Sequence, residues 1–247
     1  MVQASWAAQA FIQSYLDSYA TLYGCQVCSA GELYSLRYGN NIHAKLEDCE
    51  VFSLCKDPQE VQGNIPFLKL LPAERYVLNI FHSEEETRKI EQSFESAGYR
   101  YAFTNVVRGL TLPTSLQDRG IQIKQVTDST QIDFVNNTHQ FFQPMPETVL
   151  KNENVRAFYA NLDGQAAGWS LLVTTARNAA YISDMFTLPS FRGRGVAEAM
   201  LGTMHDAAAS AGKTYSLLVP SVMAWNYYQR FGYETLVCFS IFHQVNR

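Results

Sequence analysis

A short glycine-containing loop carries the clearest chemical pattern in the chain: Arg192, Gly193, Arg194, Gly195, Val196 and Ala197. It follows a predicted strand and begins an alanine-rich predicted helix, whose first backbone N–H groups have no partner inside the helix. Two glycines let a phosphate approach the backbone, and the helix start adds a favourable field for negative charge. The small Ala197 permits close approach, and the two arginines can neutralise phosphates from the side. The loop therefore predicts a pyrophosphate site. The alternative is a helix-capping turn with surface arginines.

A second motif is the aromatic segment 221–233, with the sequence SVMAWNYYQRFGY. Together with the loop and the preceding Leu188-Pro189-Ser190-Phe191, it resembles the GNAT superfamily of N-acetyltransferases, which has an Arg/Gln-x-x-Gly-x-Gly/Ala loop and a last helix with Asn, Ala, Tyr and Gly-Phe/Tyr. The resemblance covers residues 119–247. It implies an α/β (α+β) fold, in which a mixed, mostly antiparallel sheet has splayed fourth and fifth strands and is flanked by helices. It also implies acetyl-CoA as the acyl donor and coenzyme A as a product.

The resemblance assigns roles to other positions as well. Tyr228 occupies the place of the tyrosine that protonates the departing coenzyme A thiolate, and the alternative is an aromatic side chain packed under the last helix. Ser221 replaces the usual asparagine and can hydrogen-bond the cofactor less fully. Main-chain groups of the fourth strand at Met185, Phe186 and Thr187 are implied to pair with the pantetheine amides and to polarise the thioester carbonyl.

The general base is left open between several residues. Asp184 precedes the cofactor-binding part of the fourth strand, so it is a candidate for deprotonating the amine; a carboxylate bound to backbone or arginine is the alternative. His139, Glu147 and Tyr159 belong to the helix, loop and strand that line the acceptor side in the resembled family. His139 is alternatively a surface residue, and His205 is expected to be one.

Composition and charge limit the possible partners. The chain is 47% hydrophobic and 17% charged, with a formal net charge of −4. It has no apolar run of about 18 residues and no N-terminal basic segment followed by an apolar one, so we expect a soluble cytoplasmic protein. The absence of a Lys/Arg-rich run argues against nucleic-acid or membrane binding. We expect a monomer or a homodimer.

Five cysteines raise the question of a metal. Cys25-x-x-Cys28, followed by Cys49 and Cys55, resembles a ligand set, but the second pair is spaced more widely than in usual zinc sites. We therefore expect reduced thiols and no metal, with a zinc site as the alternative.

Periodicity and turn residues predict the elements that position these groups. The predicted helices are 5–22, 83–97 with a cap at Ser83, 129–142, 195–211 and 223–231. The predicted strands are 32–38, 49–54, 75–81, 101–112, 121–126, 155–161, 165–175, 180–188, 215–219 and 235–244. Asp163-Gly164 predicts a tight hairpin turn.

The proline- and glycine-containing segment 112–120 suggests a domain boundary, with an N-terminal α/β domain at 1–115 and the acetyltransferase-like domain at 119–247. The strand–helix–strand pattern of 76–112 resembles that of 215–244. In this alignment Phe94 replaces Tyr228, and no arginine-glycine loop precedes it. We hypothesise that residues 1–115 contain a degenerate copy that binds no coenzyme A and shapes the acceptor site. Chance similarity is the alternative, and the hypothesis requires a β-α-β unit across 75–112.

Three functions fit these observations. The first is an N-acetyltransferase that moves an acetyl group to a primary amine of a small molecule or peptide, by direct attack in a ternary complex, because no cysteine lies in either motif. The acidic net charge favours a cationic acceptor. The second is a non-catalytic acyl-CoA sensor. The third is an acyltransferase that uses a longer acyl donor.

Overall fold

The computed structural model describes residues 2–38, 48–68, 75–116, 119–138 and 144–245. The helices are α1 (Val2–Tyr23), α2 (Pro58–Asn64), α3 (Thr87–Ser96), α4 (Ser129–Thr138) and α5 (Val196–Ser210). The strands are β1 (Gln26–Ala30), β2 (Leu33–Arg37), β3 (Cys49–Ser53), β4 (Tyr76–His82), β5 (Tyr99–Thr111), β6 (Gln122–Gln125), β7 (Val155–Leu162), β8 (Gln165–Val173), β9 (Ala179–Thr187), β10 (Tyr215–Leu218) and β11 (Glu234–Gln244). The fold is therefore mixed α/β, as predicted.

The strands form one 11-stranded sheet in the order β1-β2-β3-β4-β11-β5-β10-β9-β8-β7-β6. Strand β5 of the N-terminal half lies between β10 and β11 of the C-terminal half, and β11 in turn lies between β4 and β5. All three of these contacts are antiparallel. Each half thus inserts its last strand into the other, and the predicted boundary at 115–119 connects two halves of a single sheet.

The two halves share the same sequence of pairings. Strands β1, β2 and β3 pair antiparallel, and β4 then joins β3 in parallel. Strands β7, β8 and β9 likewise pair antiparallel, and β10 joins β9 in parallel. A β-α-β unit runs from β4 through α3 to β5. The topology therefore meets the requirement set for the duplication hypothesis.

Helices cover both faces of this sheet. Successive residues of a strand point to opposite faces. On β9, Tyr181 packs in the core cluster of α1, and Ala180 and Ile182 pack in that of α5. Helices α1 and α4 thus cover one face, and α5 covers the other together with α2 and α3. Among the described residues, none of the helices is long and apolar enough to cross a membrane.

Most predicted elements are present, with three differences. Strand β1 and helix α2 were not predicted. The predicted helix 223–231 is wrong: the segment contains two 3-10 turns, Val222–Ala224 and Tyr228–Phe231. Its aromatic residues have weak helix preferences, and its backbone bonds join residues three apart, such as Tyr227 N–H to the Ala224 carbonyl. Helix α4 matches the predicted helix 129–142 as far as Thr138, and the predicted residues after Thr138 lie outside the described part of the chain.

The five cysteines are free thiols in this structure. Cys25 belongs to the core cluster on the α1 face, whereas Cys49 and Cys55 belong to the cluster on the α3 face. The sheet separates these positions. In the part of the chain that the structure describes, no group of three or more His, Cys, Asp or Glu side chains is arranged to hold a metal ion.

Candidate active site

A cleft of about 1080 Å³ lies where β9, the start of α5 and the two 3-10 turns meet. Both sequence motifs line it. The predicted residues that line the cleft are Asp184, Met185, Phe186, Thr187, Arg192, Gly193, Arg194, Gly195, Val196, Ala197, Ser221 and Tyr228. The structure therefore places the predicted donor-binding residues and two candidate catalytic side chains around one space.

The glycine loop forms one end of the cleft. Gly193 and Gly195 have φ angles of 75° and 84°, which favour glycine. Gly195 is the N-cap of α5 and provides no side-chain cap, so the first N–H groups of the helix are left for another acceptor. A Cβ on Gly195 would lie 3.2 Å from Arg119 Cγ. These features fit the pyrophosphate of coenzyme A, because an uncapped helix start binds anions.

The loop arginines also make contacts within the protein. Arg194 Nη1 lies 2.9 Å from an Asp163 carboxylate oxygen, and its guanidinium lies 5.1 Å from the Phe191 ring centre. Arg192 Nε donates to the Thr187 carbonyl at 3.3 Å. Both arginines border the cleft. The ion pair between Arg194 and Asp163 is what the alternative interpretation, a helix-capping turn with surface arginines, would also give.

Strand β9 leaves β10 at the other end of the cleft. Their parallel pairing ends at Ile182 and Leu218, whereas β9 continues to Thr187 against β8. Beyond Ile182 and Leu218, β9 and β10 are therefore no longer paired with each other. This is the splay that the resemblance implied, and it makes main-chain groups of the last β9 residues accessible from the cleft.

A bulge at Asp184 shapes this splayed end of β9. The register between β8 and β9 shifts there, and Asp184 has a φ of 53°, which is rare for a residue other than glycine. Across the bulge, a Cβ on Gly168 would lie 2.5 Å from the Phe186 carbonyl oxygen, so only glycine fits. Asp184 is exposed and accepts a hydrogen bond from the Ser183 hydroxyl at 3.1 Å. The carboxylate therefore lies at the opening between the strands.

Tyr228 reaches the cleft from the second 3-10 turn. Its residue is 7% exposed, and its ring packs against Tyr233 with the centres 5.8 Å apart. Burial, with a smaller contribution from Tyr227, raises the pKa of Tyr228 to about 12. Its hydroxyl has no hydrogen-bond partner among the described residues. Tyr228 thus provides a protonated hydroxyl at the cleft.

The three predicted acceptor residues lie elsewhere or outside the described residues. His139 lies outside them. Glu147 is exposed on a 3-10 turn beside α1, where the next residue, Thr148, donates to the Leu22 carbonyl at 2.7 Å. Tyr159 is buried in the α1 core cluster, with its ring 5.7 Å from that of Phe134. Neither Glu147 nor Tyr159 lines the cleft.

The expectation that His205 is a surface residue is wrong. His205 is 1% exposed and lies between two hydroxyls, Tyr233 at 2.8 Å from Nε2 and Thr114 at 2.9 Å from Nδ1. Its apolar neighbours on α5, Leu201, Met204 and Ala208, share that buried face. Burial lowers its pKa to about 4, so the ring is neutral at pH 7.

Sequence reasoning missed several residues that line the cleft. Arg119 comes from the connection between the halves and pairs with Glu198 at 2.8 Å. Tyr227, Met223 and Arg230 belong to the second motif but were not assigned to the site. Their place in that motif was the available signal. The sequence contained no such signal for Arg119, because the segment that joins the two halves contacts Gly195 only in the folded chain.

A family model described as "Acetyltransferase (GNAT) family" matches residues 123–233. These residues are a GNAT acetyltransferase domain. The enzyme is therefore an acetyltransferase, and apart from Arg119 the described residues that line its cleft lie within the matched segment. A search of curated protein sequences finds no match.

Two solved structures resemble the enzyme over nearly its whole length, and a third resembles about two thirds of it. A GCN5-related N-acetyltransferase from Kribbella flavida is 16% identical, with a TM-score of 0.67 and coverage of 99% of this chain and 96% of that one. A GNAT-family acetyltransferase from Novosphingobium aromaticivorans is 15% identical, with a TM-score of 0.55 and coverage of 98% and 97%. A tandem GNAT protein from the clavulanic acid biosynthesis pathway is 11% identical, with a TM-score of 0.51 and coverage of 68% and 63%. At these identities the similarity shows the fold.

Proposed function

We propose that this acetyltransferase moves an acetyl group from acetyl-CoA to a primary amine of a small molecule or peptide, by direct attack in a ternary complex. One observation carries the proposal. One cleft has a glycine-built helix start without a side-chain cap at one end and, at the other, the splay between β9 and β10 beside Asp184 and Tyr228. Anion binding and acyl chemistry thus have separate places in one space.

The donor side is assigned to the loop and the splayed end of β9. The N–H groups at the start of α5 hold the pyrophosphate, with Arg192 and Arg194 beside it. Ser221, exposed at the start of the first 3-10 turn, is available for a hydrogen bond to the cofactor. Main-chain groups of Met185, Phe186 and Thr187 bind the pantetheine arm and stabilise negative charge that develops on the thioester oxygen.

Asp184 and Tyr228 are assigned to the two proton movements. The Asp184 carboxylate takes a proton from the attacking amine, directly or through water, and the Tyr228 hydroxyl hydrogen-bonds the leaving sulfur. None of the five cysteines lines the cleft, which favours direct attack over an acyl-cysteine intermediate.

The test is thiol release from acetyl-CoA with a panel of primary amines, together with calorimetric binding of coenzyme A. We expect turnover with at least one amine and weaker coenzyme A binding in Gly195→Val, whose side chain would meet Arg119 at an unfavourable φ. Tight binding without turnover by any amine favours the acyl-CoA sensor. Turnover with a longer acyl-CoA but not with acetyl-CoA favours the third function.

The N-terminal half is proposed to be a degenerate copy of the acetyltransferase fold. Phe94 packs on Tyr99 as Tyr228 packs on Tyr233, with ring centres 5.8 Å apart in both pairs. Helix α2 occupies the place of α5, but its N-cap Asp57 accepts from the N–H groups of Gln59 and Glu60. A carboxylate thus occupies the position where α5 leaves its N–H groups free, which gives a physical reason why this half would not bind a pyrophosphate.

A further inference from the structure

Helix α1 presents a row of tyrosines on the sheet face opposite α5. Tyr15, Tyr19 and Tyr23 are spaced by four residues and lie on one side of the helix. Their ring centres are 4.7 Å apart for the first pair and 5.6 Å for the second. All three are partly exposed, whereas Phe11, one turn earlier, is 3% exposed and packs on Tyr181 of β9. We call these three residues the tyrosine row.

One end of the tyrosine row lies beside Glu50 of β3. The hydroxyls of Tyr15 and Tyr38 are 3.5 Å apart, and the Tyr38 hydroxyl donates a hydrogen bond to the Glu50 carboxylate. The Tyr38 ring also lies 5.9 Å from that of Tyr19. This end therefore combines aromatic rings with a carboxylate, and both Tyr38 and Glu50 belong to the N-terminal half.

The Asp184 carboxylate acts electrostatically on the other end of the tyrosine row. Burial raises the pKa of Tyr23, and the Asp184 carboxylate raises it further; Glu50 makes no such contribution. Burial also raises the pKa of Tyr19, where both Asp184 and Glu50 contribute. Phe186 lines the cleft and packs against the core cluster of α1, so this face and the cleft meet at the β9 bulge. The row extends about 12 Å along α1, and Glu50 and Asp184 act electrostatically on its two ends.

This arrangement suits a ligand with two cationic groups. Aromatic faces attract ammonium groups, and a nearby carboxylate adds a full opposite charge. The high pKa values keep the tyrosine hydroxyls neutral and able to accept hydrogen bonds from an ammonium group.

We propose that the tyrosine row and Glu50 bind a second ammonium group of the acceptor, which is therefore a diamine or polyamine whose reacting amine lies at Asp184. This inference rests on the proposed acetyltransferase function and names the acceptor class of the same site. It also assigns the acceptor site to the N-terminal half.

The test compares α,ω-diaminoalkanes with n-alkylamines of the same chain length, at saturating acetyl-CoA. We expect kcat/KM to be at least about tenfold higher for the diamines, mainly through KM, because only they place a cation against the tyrosine row and Glu50. The preferred diamine should have nitrogens separated by about one to two helical turns, on the order of 5–11 Å. Equal use of diamines and monoamines would overturn the proposal.

Variants locate the effect. Glu50→Gln should remove most of the diamine preference while leaving the KM for acetyl-CoA unchanged, and Glu85→Gln, on an exposed turn, should change neither. If Glu50→Gln does not fold, Tyr19→Leu should raise the diamine KM and Tyr19→Phe, which keeps the ring, should restore it. A full diamine preference in Glu50→Gln, or in Tyr19→Leu, contradicts the assignment.

A separate binding experiment distinguishes failure of the proposed acetyltransferase function from failure of the diamine site. If no amine is acetylated, calorimetry with 1,5-diaminopentane on the coenzyme A-bound protein decides the inference. Binding by the wild type that Glu50→Gln weakens about tenfold supports the cation site without the reaction. No binding by the wild type overturns the site as well.

Discussion

Replacing Tyr228 by phenylalanine separates two roles for its hydroxyl. A thiol has a pKa of about 8.5, whereas burial raises the pKa of Tyr228 to about 12. Complete proton transfer from this phenol to a free thiolate is therefore uphill by about 3.5 pKa units, or about 5 kcal/mol. We infer that Tyr228 stabilises charge on the departing sulfur through a hydrogen bond and does not deliver its proton fully.

The size of the effect follows from that role. A hydrogen bond to a charged group contributes about 1.5–3 kcal/mol, which corresponds to a fall in kcat of roughly 10- to 150-fold for Tyr228→Phe. The KM for acetyl-CoA should be unchanged, because the bond strengthens only as charge develops. The hydroxyl makes no hydrogen bond to the described residues, so the melting temperature should also stay the same.

The assay is coenzyme A thiol release under single-turnover conditions, from pH 6 to 10. Tyr227→Phe is the matched control: it removes a hydroxyl from the neighbouring cleft residue and should change kcat by less than about twofold. The wild-type profile should show no alkaline loss from Tyr228 in this range, since its proton is lost near pH 12. A fall of about 10⁴-fold would indicate full proton transfer, and a fall of less than about threefold would remove Tyr228 from the mechanism.

Three further predictions concern folding and stability. Burial lowers the pKa of His205 in the folded protein to about 4 from an ordinary 6.5, so the neutral ring favours folding fully above pH 6.5. Between pH 6.5 and pH 4 the free energy of unfolding should fall by about 3 kcal/mol, as measured by urea unfolding. His205→Gln should make this fall smaller. Arg108 has buried Nε and Nη1 groups that find no hydrogen-bond partner among the described residues, each costing about 1–3 kcal/mol, so Arg108→Met should leave the melting temperature unchanged or higher. A clear fall in melting temperature would instead give Arg108 a stabilising role through the Trp225 ring it contacts. A fragment of residues 119–247 lacks β5, which pairs with both β10 and β11. This fragment should therefore not fold, and calorimetry should detect no coenzyme A binding. A folded fragment that binds coenzyme A would show that the interleaved strands are dispensable.

Local patterns were sufficient to predict the backbone geometry of the glycine loop and of the hairpin turn. Gly193 and Gly195 have the positive φ angles that the loop required, and the Asp163-Gly164 turn has positive φ at both residues. These features depend on a few consecutive residues, so their chemistry is visible in the sequence. The splay of β9 and β10 was predicted only through the family resemblance, because it depends on strands far apart in the chain.

Contacts between residues far apart in the chain could not be predicted from the sequence. His205 has the polarity of a surface residue, and only the meeting of α5 with Tyr233 and Thr114 provides the partners that allow its burial. The contact of Arg119 with Glu198 likewise depends on where the connection between the halves lies. The helix that carries the tyrosines of α1 was predicted, but their position beside Glu50 and near β9 follows from the interleaved sheet.

The interleaved strands give the N-terminal half a direct connection to the chemistry. Strand β5 pairs with β10 on the side opposite β9. Leu218, where the splay begins, is paired with β5 on one side and with Ile182 of β9 on the other. Helix α1 packs across β11, β5, β10 and β9, so it is anchored to strands of both halves and fixed relative to the β9 bulge. Under the proposed duplication, the N-terminal half is retained for two physical reasons: it fixes the geometry of the splay, and it supplies the surface proposed to hold the acceptor. On this argument, changes in the tyrosine row should alter acceptor choice, and changes in the glycine loop should alter donor binding.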